Sequence, residues 1–109
     1  MPKPPASFDR EKLNDYAKLV FGALGGAMTS SMIFLGDRLG LYRALAGAGP
    51  VTSAELARKT GLSERWLREW LYAQGAAGVL AHHENDRFSL SPEGFTAPPS
   101  SAAWTNNAL

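Results

Sequence analysis

Between Val51 and Ser91 the chain carries helix start and stop signals at a spacing that few folds accept. Thr52 or Ser53 can cap a helix, and Glu55 follows Thr52 by three residues, the spacing of a capping box. Leu56 and Ala57 supply an inner face. Thr60-Gly61 stops the helix, because glycine takes the left-handed conformation that ends helices. Ser63 caps a second helix, in which Leu67, Trp70, Leu71 and Gln74 recur at helical spacing and Gly75 and Gly78 loosen the end. Val79–His83 and Arg87–Leu90, joined at Glu84-Asn85-Asp86, predict a hairpin. Two helices on a tight glycine turn, then a hairpin, make a winged helix-turn-helix over residues 51–91.

The residues ahead of it are more apolar than such a unit needs. Residues 1–8 are proline-rich and are expected to be flexible, with Ser7 or Asp9 as a helix cap. Leu13, Tyr16, Ala17, Val20 and Leu24 follow helical spacing and predict a helix over 9–24. Gly25-Gly26 is expected to break it from a second helix over 27–46, bent at Gly36 or Gly40. Met28, Met32, Leu35, Leu39 and Tyr42 are read onto one face of that helix, widened by Ile33, Phe34, Leu41 and Leu45. The surplus apolar surface predicts a protein–protein interface, and hence a homodimer through residues 9–46. The predicted class is therefore mainly α: a winged helix-turn-helix with two N-terminal dimerisation helices and a small β-hairpin wing.

Leu19 to Gly36 holds no charge over 18 residues, which raises the question of a membrane span. Thr29, Ser30, Ser31 and four glycines interrupt the run, so it is read as a helix buried against other helices or a second copy, with no membrane. Gly22 and Gly26 form a small-xxx-small pair that lets two backbones approach closely. The tail, residues 92–109, has adjacent prolines and no periodicity and reads as a linker or loose tail. Its Trp104 either docks or has no role.

A chain of 109 residues is one small domain. Its net charge of +1 gives no strong electrostatic reason to expect nucleic acid or an acidic membrane. There is no cysteine and no secretory signal core, which fits a cytoplasmic protein. The second helix of the unit would present Glu64, Arg65, Arg68, Glu69 and Tyr72 to a DNA groove, and its four charges cancel. Arg65, Arg68 and, on the wing, Arg87 are the candidate DNA contacts. The competing reading pairs them internally, as Glu64 with Arg68. Trp66 and Trp70 lie one turn apart and read as packing, or as pocket walls. His82 and His83 point to opposite faces of a strand and cannot hold one metal together. No glycine run follows a strand, so no phosphate loop is present. No catalytic constellation, metal site or cofactor site is found.

The combined pattern of Leu35–Leu45, Gly49–Ala57, Thr60–Leu71, Gly78–Leu80 and Phe88–Glu93 resembles the N-terminal region of bacterial class I S-adenosylmethionine-dependent methyltransferases. These carry a winged-helix dimerisation domain ahead of the catalytic domain, and small-molecule O-methyltransferases share the arrangement. The resemblance covers about residues 10–94. It implies that the domain builds a dimer and helps roof the substrate site. The helix around Met28, Met32 and Phe34 would then lie closest to substrate, and Leu13, Tyr16, Val20, Gly22, Leu24 and Gly26 would form the dimer interface. The family's donor site, a glycine-rich loop after the first strand of a Rossmann-like sheet, has no counterpart after Glu93. The resemblance thus implies no methyltransferase activity from this chain alone, with S-adenosylmethionine bound only by a separate or missing catalytic domain. The alternatives are a winged-helix DNA-binding transcriptional regulator and a small-molecule-sensing fragment walled by the Met28–Phe34 helix and Trp66 or Trp70.

Overall fold

The structure, a computed structural model, describes residues 2, 3, 5 and 7–96. Asp9 caps the first helix, α1 (Arg10–Arg38), by accepting from the backbone N–H groups of Glu11 at 2.9 Å and Lys12 at 3.3 Å. α1 runs through Gly25-Gly26 without a break, so the expected pair of helices over 9–24 and 27–46 is corrected to one helix of 29 residues. Glycine lowers helix propensity by about 1 kcal/mol but, unlike proline, keeps its N–H in the ladder. The good helix formers on either side carry the helix across. The chain breaks instead at Gly40, whose φ of 73° lies in the left-handed region. A single further turn, α2 (Leu41–Leu45), follows.

The helix-turn-helix forms as its caps predict. In α3 (Ser53–Thr60) the Thr52 hydroxyl accepts from Glu55 N at 3.1 Å, and the Glu55 carboxylate accepts from Thr52 N at 3.4 Å. Gly61, at φ 75°, ends it. Ser63 caps α4 (Glu64–Ala76) by accepting from Trp66 N at 3.3 Å. Leu67, Trp70, Leu71 and Gln74 form the buried face of α4. The wing is an antiparallel pair, β1 (Ala81–His83) and β2 (Arg87–Ser89), with His82 opposite Phe88. Asn85 and Asp86 turn it at φ 61° and 52°, a region these two residue types tolerate. Val51, read from sequence as lead-in to α3, pairs with Phe88 through two backbone hydrogen bonds of 2.9 and 2.8 Å. That bridge stitches the start of the helix-turn-helix to the wing. Residues 92–96 form a short helix, α5 (Pro92–Thr96), rather than continuing as linker. The rest of the expected tail, with Trp104, lies outside the described residues.

The buried hydrophobic core draws only on residues from Leu41 onward, centred on Leu41, Leu45, Leu56, Leu67, Trp70 and Phe88. The only buried residues of α1 are Gly36 and Asp37, at its C-terminal end. Gly36 lies against the Trp70 indole, and Trp70 Nε1 donates to the Met32 carbonyl at 2.9 Å. The Tyr42 ring packs on Trp70 with centroids 5.4 Å apart, and its hydroxyl donates to the Gln74 side-chain oxygen. Burial, and then the nearby Asp37 charge, push the Tyr42 phenol well above its ordinary range. Met32 and Ile33 pack half-buried against this core, and the part of α1 before them projects away from the body. The radius of gyration is accordingly 18.1 Å, with extents of 57 × 36 × 26 Å. A compact chain of this length has about 13 Å.

Candidate interaction surface and wing crevice

The projecting part of α1 is apolar and uncovered. Phe21 is 71% exposed, Leu19 and Met28 69%, Tyr16 66% and Leu24 59%. Successive helical residues turn by about 100°. Leu13, Tyr16, Val20 and Leu24 therefore share one stripe, whereas Gly22 and Gly26 lie on roughly the opposite side of the helix. The six expected interface residues thus span two faces. At both glycines an added Cβ meets no atom within 4 Å among the described residues. A helix apolar all round is one that is surrounded. By length and composition α1 is also apolar enough to cross a membrane, with a window of mean hydropathy 1.6.

The expected lid residues are likewise dispersed. Met28 is uncovered, and Met32 is half-buried against the core with its carbonyl bound by Trp70. Phe34 points about 120° round the helix from Met28. It is 54% exposed, with the Arg38 guanidinium over its ring at 5.5 Å. Trp70 is fully buried and Trp66 packs half-buried against the core, so both act as packing residues here.

The exposed face of α4 is neutralised from within. Arg68 grips Glu64 with two hydrogen bonds, Nη2 to Oε1 at 2.6 Å and Nε to Oε2 at 3.1 Å. Arg65 pairs with Glu69 at 3.3 Å, and Arg87 of the wing reaches Glu55 of α3 at 3.1 Å. All three candidate DNA contacts are therefore engaged in ion pairs within the chain. The Arg68 hydrogen bonds, then one from the Ser53 hydroxyl, hold the Glu64 carboxyl at about 2.

Where the N-terminal end of α3, α4 and the wing meet, a crevice of about 280 Å³ opens. Ser53, Glu64, Arg68, Tyr72, Asp86 and Phe88 line it. The Tyr72 hydroxyl, then His82, hydrogen-bond Asp86 and hold its carboxyl below the usual range. The same bond to Asp86 raises the Tyr72 phenol. His82 Nε2 lies 3.2 Å from Asp86 Oδ1, and its ring stacks on Phe88 at 4.4 Å and 15°. His82 thus packs the wing onto α4 while staying partly in solvent, and His83 turns to the Ser89 hydroxyl at 2.6 Å. Sequence spacing did not reveal this cluster, because its members come from three elements. The local hint was Tyr72 two positions after Trp70, on the outer side of α4. Among the described residues no group of three potential ligands is placed to hold a metal ion.

These residues do not fit S-adenosylmethionine in the manner of a Rossmann-like sheet. The named strands among the described residues are one antiparallel pair, and the left-handed glycines, Gly40, Gly47, Gly49, Gly61 and Gly78, sit at helix ends and turns rather than after a strand.

Fold and surface together define a winged helix-turn-helix domain with a long apolar helix at its start. The chain belongs to the Rv2258c-like winged HTH domain family, whose model matches residues 27–97. No curated protein matches its sequence. Among solved structures it is similar to the mitomycin 7-O-methyltransferase MmcR, at 26% identity and a TM-score of 0.71, covering 81% of this chain and 26% of that one. It is also similar to the N,N-8-amino-8-demethyl-D-riboflavin dimethyltransferase RosA of Streptomyces davawensis, at 28% identity and a TM-score of 0.65, covering 77% and 25%. Human N-acetylserotonin methyltransferase shares the fold, at 23% identity and a TM-score of 0.59, covering 92% and 29%. The chain therefore spans about a quarter of the length of these methyltransferases.

Proposed function

We propose that this chain is the assembly module of an S-adenosylmethionine-dependent methyltransferase. It joins two copies through α1 and helps cover the substrate site of a catalytic domain, without activity of its own. The observation that carries this reading is the uncovered apolar length of α1, in a chain whose structural neighbours are methyltransferases. An isolated chain leaves that surface in water, at a cost of roughly 25 cal/mol per Å². A second copy is the covering surface that every solution of the protein contains. An intertwined second copy covers both the Leu13–Leu24 stripe and the Gly22/Gly26 face of α1, with Met28 and Phe34 left free to reach substrate. The DNA-regulator reading is weaker, because Arg65, Arg68 and Arg87 already have acidic partners and the α4 face carries no surplus positive charge.

The test is the solution mass by light scattering, followed by calorimetric titration with S-adenosylmethionine. The expected result is twice the 11.7 kDa of one chain, no heat of donor binding, and a monomer for the Val20→Asp/Leu24→Asp variant. A monomeric parent chain overturns the assembly role, and partitioning of that monomer onto lipid vesicles would assign α1 to a membrane surface. Donor binding overturns the division of labour between domains. Tight DNA binding that falls steeply with salt and weakens on Arg68→Ala would instead establish the regulator.

A further inference from the structure

Only one end of α1 is attached to the rest of the chain, and the attachment is small. From Gly36 to Arg10 the helix reaches about 39 Å at 1.5 Å per residue. A swing of about 10° at the attachment therefore moves the far end by roughly 7 Å, more than a helical pitch. An interface that must match side chains along this helix needs the attachment angle held to a few degrees.

The contact between Gly36 and Trp70 has the features of such a joint. A Cβ at position 36 would lie 2.3 Å from Trp70 Cζ2, 2.9 Å from Trp70 Cε2 and 3.1 Å from Tyr42 Cε2. The indole therefore rests directly on the α1 backbone, at a separation no other residue type allows. One turn earlier the same indole donates its N–H to the Met32 carbonyl at 2.9 Å, which adds a second point and fixes rotation about the first. Trp70 itself is fully buried and braced by the Tyr42 ring. By contrast, an added Cβ at Gly22, Gly25 or Gly26 meets nothing within 4 Å among the described residues, so along α1 the close approach is confined to this end.

We propose that Gly36 and Trp70 form a joint that sets the direction in which α1 leaves the winged helix, and so selects one geometry for the pairing of two copies. The part concerning pairing rests on the assembly role proposed above; the joint itself does not.

The experiment separates the two. The chain has no cysteine, so Lys18→Cys on α1 and Arg58→Cys on α3, both exposed, accept spin labels without background. Labelled protein diluted with unlabelled protein reports distances within one chain by electron–electron resonance. Solution mass is measured on the same samples. The joint predicts a narrow distance distribution in the parent. Gly36→Ala is expected to shift or broaden it by several ångströms and Trp70→Phe to broaden it, both with the helical circular dichroism of the body retained. The double variant Gly36→Ala/Trp70→Phe, in which a smaller ring makes room for the methyl group while the bond to the Met32 carbonyl stays lost, is expected to be narrower than Gly36→Ala but broader than the parent. The single variants are also expected to lose the dimer mass. Unchanged distributions in both single variants overturn the joint, as does a double variant no narrower than Gly36→Ala. If Gly36→Ala does not fold, Trp70→Phe decides by the same criterion. A monomeric parent with a joint-dependent distribution would sink the assembly role and leave the joint standing.

Discussion

Tyr42→Phe removes one oxygen from the root of α1, and its effect can be worked out from the Gln74 side chain. Gln74 is fully buried; its Oε1 accepts from the Tyr42 hydroxyl, and its Nε2 finds no hydrogen-bond partner among the described residues. Removing the hydroxyl strands the second polar atom of an amide that already has one stranded. A buried acceptor left without a donor costs about 1–3 kcal/mol. Total stabilities are only about 5–15 kcal/mol, so the expected fall in melting temperature is about 4–24 °C for a domain of this size. Replacing both partners by apolar groups of similar shape is nearly neutral. Tyr42→Phe/Gln74→Leu is therefore expected to recover most of the loss, with a coupling of about 1–3 kcal/mol in the double-mutant cycle. Urea unfolding followed by tryptophan fluorescence, at one protein concentration, measures all four species. The same phenol gives a pH signature. Burial first, and Asp37 second, raise its folded-state value, while the unfolded chain releases the proton near pH 10. The stabilisation is full below that pH and is lost as pH rises through the folded-state value, a slope that Tyr42→Phe removes. A loss below about 0.5 kcal/mol, or additive single variants, would refute the pairing and with it the account of the buried amide.

Three further outcomes are expected. Thr52→Ala removes the capping box of α3 and should cost about 1 kcal/mol, read from the urea midpoint; an unchanged midpoint would show that the cap does not hold the helix. Arg68 and Ser53 hold Glu64 at about 2, below its ordinary 4.5, so its contribution is present above that ordinary value and lost as pH falls toward 2. Glu64→Gln should flatten this acid limb in pH-dependent melts, and an unaltered limb would contradict the Ser53–Glu64–Arg68 network. Gly22→Ala/Gly26→Ala should strengthen the helix within one chain, where nothing opposes the methyl groups, yet weaken pairing of two copies about tenfold or more by overpacking. Sedimentation at graded concentrations reads the difference, and unweakened pairing would remove this face from the interface.

Local signals carried most of the winged helix. Thr52, Gly61 and Ser63 act on neighbours within four residues, and the buried stripe from Leu67 to Gln74 repeats every turn, so both are written into short windows. The continuity of α1 was not legible, because a glycine pair weakens a helix without vetoing it. The Val51–Phe88 bridge and the Tyr42–Gln74 bond join residues more than 30 positions apart. The nearest local hint of the joint was a glycine inside a helical run, which is also what a bend looks like. The pairing of Glu64 with Arg68 was readable at i, i+4, whereas the reach of Arg87 to Glu55 was not. The uncovered state of α1 is a property of three-dimensional packing. Composition signalled surplus apolar surface there but could not divide it between the two sides of the helix.

Because α1 precedes the body in the chain, it is synthesised before the residues it packs against. The residues from Leu39 to Thr96 that complete the winged helix follow over roughly 3–12 s at ordinary synthesis rates of about 5–20 residues per second. During that interval an uncharged run of 18 residues, Leu19 to Gly36, has no Trp70 to rest on and no folded domain beside it. Under the assembly role proposed above, the order of the elements makes α1 available to another copy before the domain is finished.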